Sequence, residues 1–124
     1  MLRNDLTTQV IAELTYWEAN YQRDGIRQKF ADMLNPGTFD TFLLQAMFTR
    51  TQNFQGHIRN AKTNGEINSL IMPLPAAMAF EAVFHTIATY WLAAGDPTPP
   101  DVIRQSVLDF IDTQVDCFAS FLGA

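Results

Sequence analysis

Apolar residues recur along this chain at the three- and four-residue spacing of an α-helix, and no stretch alternates with the period of two that a half-buried strand requires. Leu6, Val10, Leu14, Trp17 and Tyr21 fall on one side of a helical wheel, and Ile11 widens the stripe. They predict an amphipathic first helix over residues 4–22. Asp24-Gly25 breaks the phase, and Ile26, Phe30, Met33 and Leu34 start a new stripe. This predicts a short second helix over 25–34, with Asp24 as its N-cap and Asn35-Pro36-Gly37 as its stop. A long third helix is expected from Thr38 to Thr63, with Phe39, Leu43, Met47, Phe54, Ile58 and Ala61 on its apolar face. Asn64-Gly65 ends it. Pro73 and Pro75 open a fourth helix, because proline is tolerated in a first turn, and it runs to Ala94 before Gly95 closes it. After the stiff segment Asp96-Pro97-Thr98-Pro99-Pro100, a fifth helix is expected from Asp101 to Phe121. No repeat, low-complexity run or interdomain linker interrupts the pattern, so residues 1–124 read as one all-α, five-helix domain.

The last two helices carry more apolar surface than one core-facing side needs. In the fourth, Phe80, Phe84, Ile87 and Trp91 form a stripe of large side chains, while Met78, Ala82, His85 and Thr89 lie on a different face. In the fifth, Ile103, Val107, Phe110, Ile111, Phe118 and Phe121 share an arc. Leu108, Val115, Ala119 and Leu122 extend it to roughly 180°, against about 100° for an ordinary surface helix. The polar remainder is Gln105, Ser106, Asp109, Asp112, Thr113 and Asp116. The surplus is expected to pair across a two-fold axis in a homodimer. Met78, Ala82, His85 and Thr89 would meet the partner from the fourth helix, and Leu108, Val115, Ala119 and Leu122 from the fifth. Glu81 and His85, spaced i, i+4, would supply a charged contact there or form an ordinary intrahelical pair. Coverage by neighbouring helices of the same chain is the alternative.

Composition narrows the function classes. Hydrophobic residues make up 48% of the 124, enough for a core, and charged residues only 17%, which excludes a disordered tail. The net charge of −5 argues against a nucleic-acid binder. The single cysteine, Cys117, excludes an internal disulfide framework and fits a reducing, cytoplasmic setting. Beside Asp116 it reads as a small packing residue. The first residues form no apolar signal segment. Ile71 to Ala94 is apolar enough to imitate a membrane span, but Pro73 and Pro75 sit at its start and Glu81 lies inside it. A mid-span carboxylate costs about 3 kcal/mol, so a buried helix is expected. Two histidines and one cysteine are too few for a protein-only zinc site, and Glu81 and His85 have the wrong spacing for a di-iron site. No Gly-rich phosphate loop, Gly-x-Ser-x-Gly elbow or His-Glu-x-x-His motif occurs, so neither enzyme activity, metal nor cofactor is expected.

One segment points further. Ala61-Lys62-Thr63-Asn64-Gly65-Glu66-Ile67 ends the long helix, and Pro75-Ala76-Ala77 starts the next after a short connector. With the helix order, this resembles the C-terminal ligand-binding and dimerisation domain of the tetracycline-repressor (TetR) family of transcriptional regulators, over roughly residues 4–122. The family's N-terminal helix-turn-helix has no counterpart here, so this chain alone is not expected to bind DNA specifically. The resemblance implies a small-molecule effector pocket ahead of a dimeric four-helix bundle made by the last two helices. The apolar stripes place Tyr21, Phe30, Met33, Met47, Phe54, Phe84 and Trp91 in such a pocket for a largely apolar effector, or in an ordinary core. Arg50 and His57 lie two turns apart at the edge of the third helix's apolar stripe. A buried Arg50 needs a partner: an acid on the effector, an acid of the chain itself, or solvent reached by snorkelling. His57 is a ligand contact or a core histidine. The competing reading of the whole chain is a stand-alone helical interaction protein with no small-molecule ligand.

Overall fold

The computed structural model describes residues 1–34 and 41–124, with the side chains of 33, 34 and 41–43 left aside. Five helices follow in order: α1 (Leu2–Asn20), α2 (Gln22–Leu34), α3 (Thr41–Thr63), α4 (Pro73–Ala94) and α5 (Gln105–Phe121). No strand occurs among the described residues, so the all-α, five-helix expectation is met. The expected start of the third helix at Thr38, its Phe39 and the Asn35-Pro36-Gly37 stop lie outside the described residues, as do the side chains of Met33, Leu34 and Leu43.

The stripes read from the sequence become the core. Leu2, Leu6, Val10, Leu14 and Trp17 of α1 are buried, as are Phe54, Ile58 and Ala61 of α3 and Phe80, Phe84, Ile87 and Trp91 of α4. Val107, Ile111, Val115 and Ala119 complete it from α5. Phe54 meets Phe80 edge-on at 4.6 Å between ring centroids, and Phe80 meets Phe118 at 4.8 Å. Phe80 against Phe118 and Tyr90 against Phe110 make α4 and α5 antiparallel. Arg3 of α1 fastens to Asp116 at 2.8 Å and to the Ser120 hydroxyl of α5. Among the described residues no helix is long and apolar enough to cross a membrane.

Two boundaries move from their expected places. The first break falls at Tyr21 and Gln22, whose φ of 57° turns the chain sharply, so α2 begins before Gly25 and Asp24 lies in its first turn instead of capping it. The last helix begins at Gln105, because Thr98–Asp101 forms a hydrogen-bonded turn and Arg104 stays extended at φ −59°, ψ 139°. By contrast, α4 runs from Pro73 to Ala94 and closes at Gly95 as read from the sequence.

The segment after α3 has a mechanical explanation residue by residue. Gly65 takes φ +74°, the left-handed conformation that favours glycine. The Glu66 N–H donates to the Ala61 carbonyl and the Gly65 N–H to that of Lys62, the paired bonds of a Schellman C-cap. The Glu66 carboxylate then accepts from the Leu2 N–H at 2.9 Å, satisfying a free donor at the start of α1. Ile67 is buried.

Candidate functional site

A cleft of about 500 Å³ lies between α1 and α3. On α1 it is lined by Gln9, Ala12, Glu13, Tyr16 and Trp17, and on α3 by Gln45, Ala46, Thr49, Arg50 and Asn53, with Tyr21 also contributing. On each helix these residues repeat at three- and four-residue intervals, so each set occupies one face. Ala12 and Ala46 are too short to fill the space between the helices.

Arg50 is only 3% exposed. Its Nε donates to both oxygens of Glu81, at 2.9 and 3.1 Å, and its Nη2 also donates to Glu81 Oε1. Its Nη1 donates to Glu13 Oε1 at 2.9 Å. The guanidinium carbon lies 4.1 Å from the Phe84 ring centroid and 5.8 Å from that of Trp17. Glu81, 5% exposed, also faces His85 Nε2 at 3.4 Å. Burial alone would push the Glu81 carboxyl up, but hydrogen bonds from His85 and Arg50, with the Arg50 charge, outweigh it and hold the group below its ordinary value. The result is a continuous polar chain from Glu13 on α1, through Arg50 on α3, to Glu81 and His85 on α4. At the other end of the cleft the Tyr16 and Tyr21 rings meet edge-on at 5.9 Å. Their hydrogen bond keeps the Tyr21 phenol above its ordinary value.

Of the residues proposed from the sequence for a pocket, Tyr21 and Arg50 line this cleft. The others do not converge on it. Phe54, Phe84 and Trp91 are fully buried within the chain, so they are core and not walls of an open space. Phe30 packs against the rings of Trp17 and His85. Met47 is half-buried, and Met33 has no described side chain. His57 borders two shallow hollows farther along α3, with Asn60 in both. Seven residues of helix put it about 10 Å along the axis from Arg50. Gln9, Ala12, Glu13 and Tyr16 were missed. Their signal is a second, polar and small stripe at helical spacing beside the apolar one on α1.

The expected dimer residues divide. Met78, Ala82 and Thr89 are exposed on the outer face of α4, and His85 is half-buried at its edge. Glu81 is buried against Arg50, so it makes no contact at the surface. Val115, Ala119 and Leu122 are buried inside the chain and Leu108 packs half-buried against the core, because α1 and α4 already cover that side of α5. Instead Phe121, on the apolar arc read from the sequence, is 91% exposed, and Cys117 is exposed instead of packed. The outer face of α4, with Pro75, Met78, Ala82, Thr86, Thr89 and Ala93 exposed, carries no charged side chain. On α5 the Ser106, Phe110, Thr113, Cys117 and Phe121 stripe is likewise uncharged, and Phe110 stacks on Tyr90 at 4.3 Å.

A second buried arginine serves a different purpose. Arg23 of α2 donates to Glu18 at 3.0 Å and to Asp96 at 2.7 Å. It lies 5.3 Å from the Trp91 ring centroid, clamping α2 to the end of α4. Among the described residues no group of three or more His, Cys, Asp or Glu side chains is placed to hold a metal ion. The chain matches no family model, no curated protein and no solved structure.

Proposed function

We propose that this chain is a cytoplasmic, small-molecule-sensing and dimerising domain, of the kind that forms the C-terminal half of TetR-family regulators, and that it does not itself bind DNA. The observation that carries the reading is the α1/α3 cleft with a buried ion-pair network at its floor. A buried ion pair is seldom the most stable way to fill a core, because desolvation offsets much of its attraction. Its position beside an open cleft gives it a use. Glu13, Arg50 and Glu81 tie three helices together, and α4 carries the uncharged outer face. A ligand entering between α1 and α3 would shift Glu13 against Arg50, and Glu81 would pass the shift to α4. The adjoining uncharged stripes of α4 and α5 support pairing with a second copy. The Gly65 turn and the helix order support the TetR-like layout.

Native mass spectrometry of the purified chain tests this. The expected result is a dimer that Ala82→Glu converts to monomer, with a bound organic molecule that Ala12→Trp removes. A stable monomer at micromolar concentration with no bound molecule would instead favour an interaction module that covers its α4 face with a different protein.

A further inference from the structure

Resting on that reading of the cleft, we infer that its ligand is an organic cation, an amine or ammonium group carried on an apolar body. Arg50 at the floor seems at first to invite an acid. Its charge, however, is already matched twice, by Glu81 on Nε and Nη2 and by Glu13 on Nη1. One guanidinium against two carboxylates leaves one negative charge among Glu13, Arg50 and Glu81. Glu13 is the outer of the two acids, with its side chain 27% exposed at the cleft wall, while Glu81 lies beneath. The other lining groups on α3, Gln45, Thr49 and Asn53, are neutral, and among the described residues Arg50 is the only cation of the lining, with Lys29 set against the Tyr21 ring.

Two further observations point the same way. Two aromatic side chains of the lining already seat cations: Lys29 Nζ lies 5.6 Å from the Tyr21 ring centroid, and the Arg50 guanidinium carbon 5.8 Å from that of Trp17. Ring faces attract positive charge and repel negative charge. In addition, Gln9, a lining residue, has a buried Oε1 acceptor with no donor among the described residues. An ammonium or protonated amine supplies a donor; a carboxylate or sulfonate cannot.

Three dyes of similar size separate the possibilities by fluorescence titration: acridine orange as cation, Nile red as neutral molecule and anilinonaphthalene sulfonate as anion. Acridine orange is expected to bind most tightly, by at least about tenfold over the sulfonate, the scale of one unit charge held beside aromatic rings in a partly desolvated cleft. Glu13→Gln should narrow that preference and Asn53→Asp, at an exposed lining position, should widen it. Ala12→Trp should abolish binding of all three. If the sulfonate or Nile red binds as tightly or better, and Ala12→Trp still blocks it, the cation assignment is wrong while the cleft remains a binding site. If no dye binds, or binding ignores Ala12→Trp, the cleft reading itself fails and the cation assignment fails with it.

Discussion

Two neighbouring layers of the interior, one helical turn apart on α3, are built on opposite principles. Around Phe54 the contacts are ring on ring, Phe54 on Phe80 and Phe80 on Phe118, and Ile58, Ile111 and Val115 are buried in the same core. Around Arg50 the same two helices, α3 and α4, are joined by a desolvated guanidinium and carboxylate, with Trp17 and Phe84 against the charge. The first layer is what burial of apolar area favours. The second has to overcome the desolvation of two ions and does so through three donor nitrogens and two ring faces. Arg50 lines the open cleft and Phe54 does not. At Arg50, charge enters the core where the interior meets the open cleft.

The contrast is most directly broken by removing one member from each layer. Glu81→Ala strands the Arg50 charge and should destabilise the chain by about 3–5 kcal/mol in urea unfolding. Phe54→Ala should cost a similar amount, about 3–5 kcal/mol, from lost burial and the remaining cavity. The layers part company on repair. Arg50→Met combined with Glu81→Met should recover most of the loss, to within about 1 kcal/mol of wild type, because an apolar pair can replace a buried ionic one. Phe54→Ala with Phe80→Ala should only deepen it. A double variant as unstable as Glu81→Ala alone would contradict the ionic account of the Arg50 layer.

A milder change sharpens the same point. Glu81→Gln keeps the shape, loses the charge and should cost about 2 kcal/mol at neutral pH. Because the Glu81 carboxyl is held below its ordinary value of 4.5, the folded chain takes up this proton less readily than the unfolded chain. The wild-type advantage over Glu81→Gln is therefore fully present above that value and shrinks as pH falls through the lower folded one. Denaturant midpoints of both proteins measured from neutral to acid pH should converge; a constant gap would remove the ion pair as its source.

The smallest expected effect on stability comes from the cleft. Ala12 is exposed on α1, so Ala12→Trp should leave stability within about 0.5 kcal/mol of wild type. The same replacement at the fully buried Ala88 of α4 should prevent folding by overpacking. Thermal melts of the two variants distinguish an open space from a filled one.

Much of the fold was legible because local chemistry and burial agree. Pro73 and Gly95 bound α4 in sequence and in space, and Gly65 ends α3 through a conformation that glycine favours. The break before α2 was placed too late because Gln22, not Gly25, adopts the left-handed turn. Periodicity identified the wide apolar arc of α5, but it cannot say which neighbour covers each part. Val115 and Ala119 are buried within the chain and so are not free to meet a partner, while Phe121 and Cys117 are exposed. The cleft was only half visible. Arg50 stood out as a charge beside an apolar stripe, but its acids, Glu13 and Glu81, lie 37 and 31 residues away on other helices. Only the packing of α1 and α4 against α3, each antiparallel to it, brings them together.

The central claim is that the space between α1 and α3 is the binding site, and amide chemical shifts during titration with acridine orange test it most directly. The account predicts perturbations concentrated at Ala12, Glu13, Tyr16, Ala46, Thr49 and Asn53, with smaller shifts reaching Glu81 and His85. Perturbations confined to the outer face of α4 and α5, at Met78, Ala82 and Phe121, would contradict it.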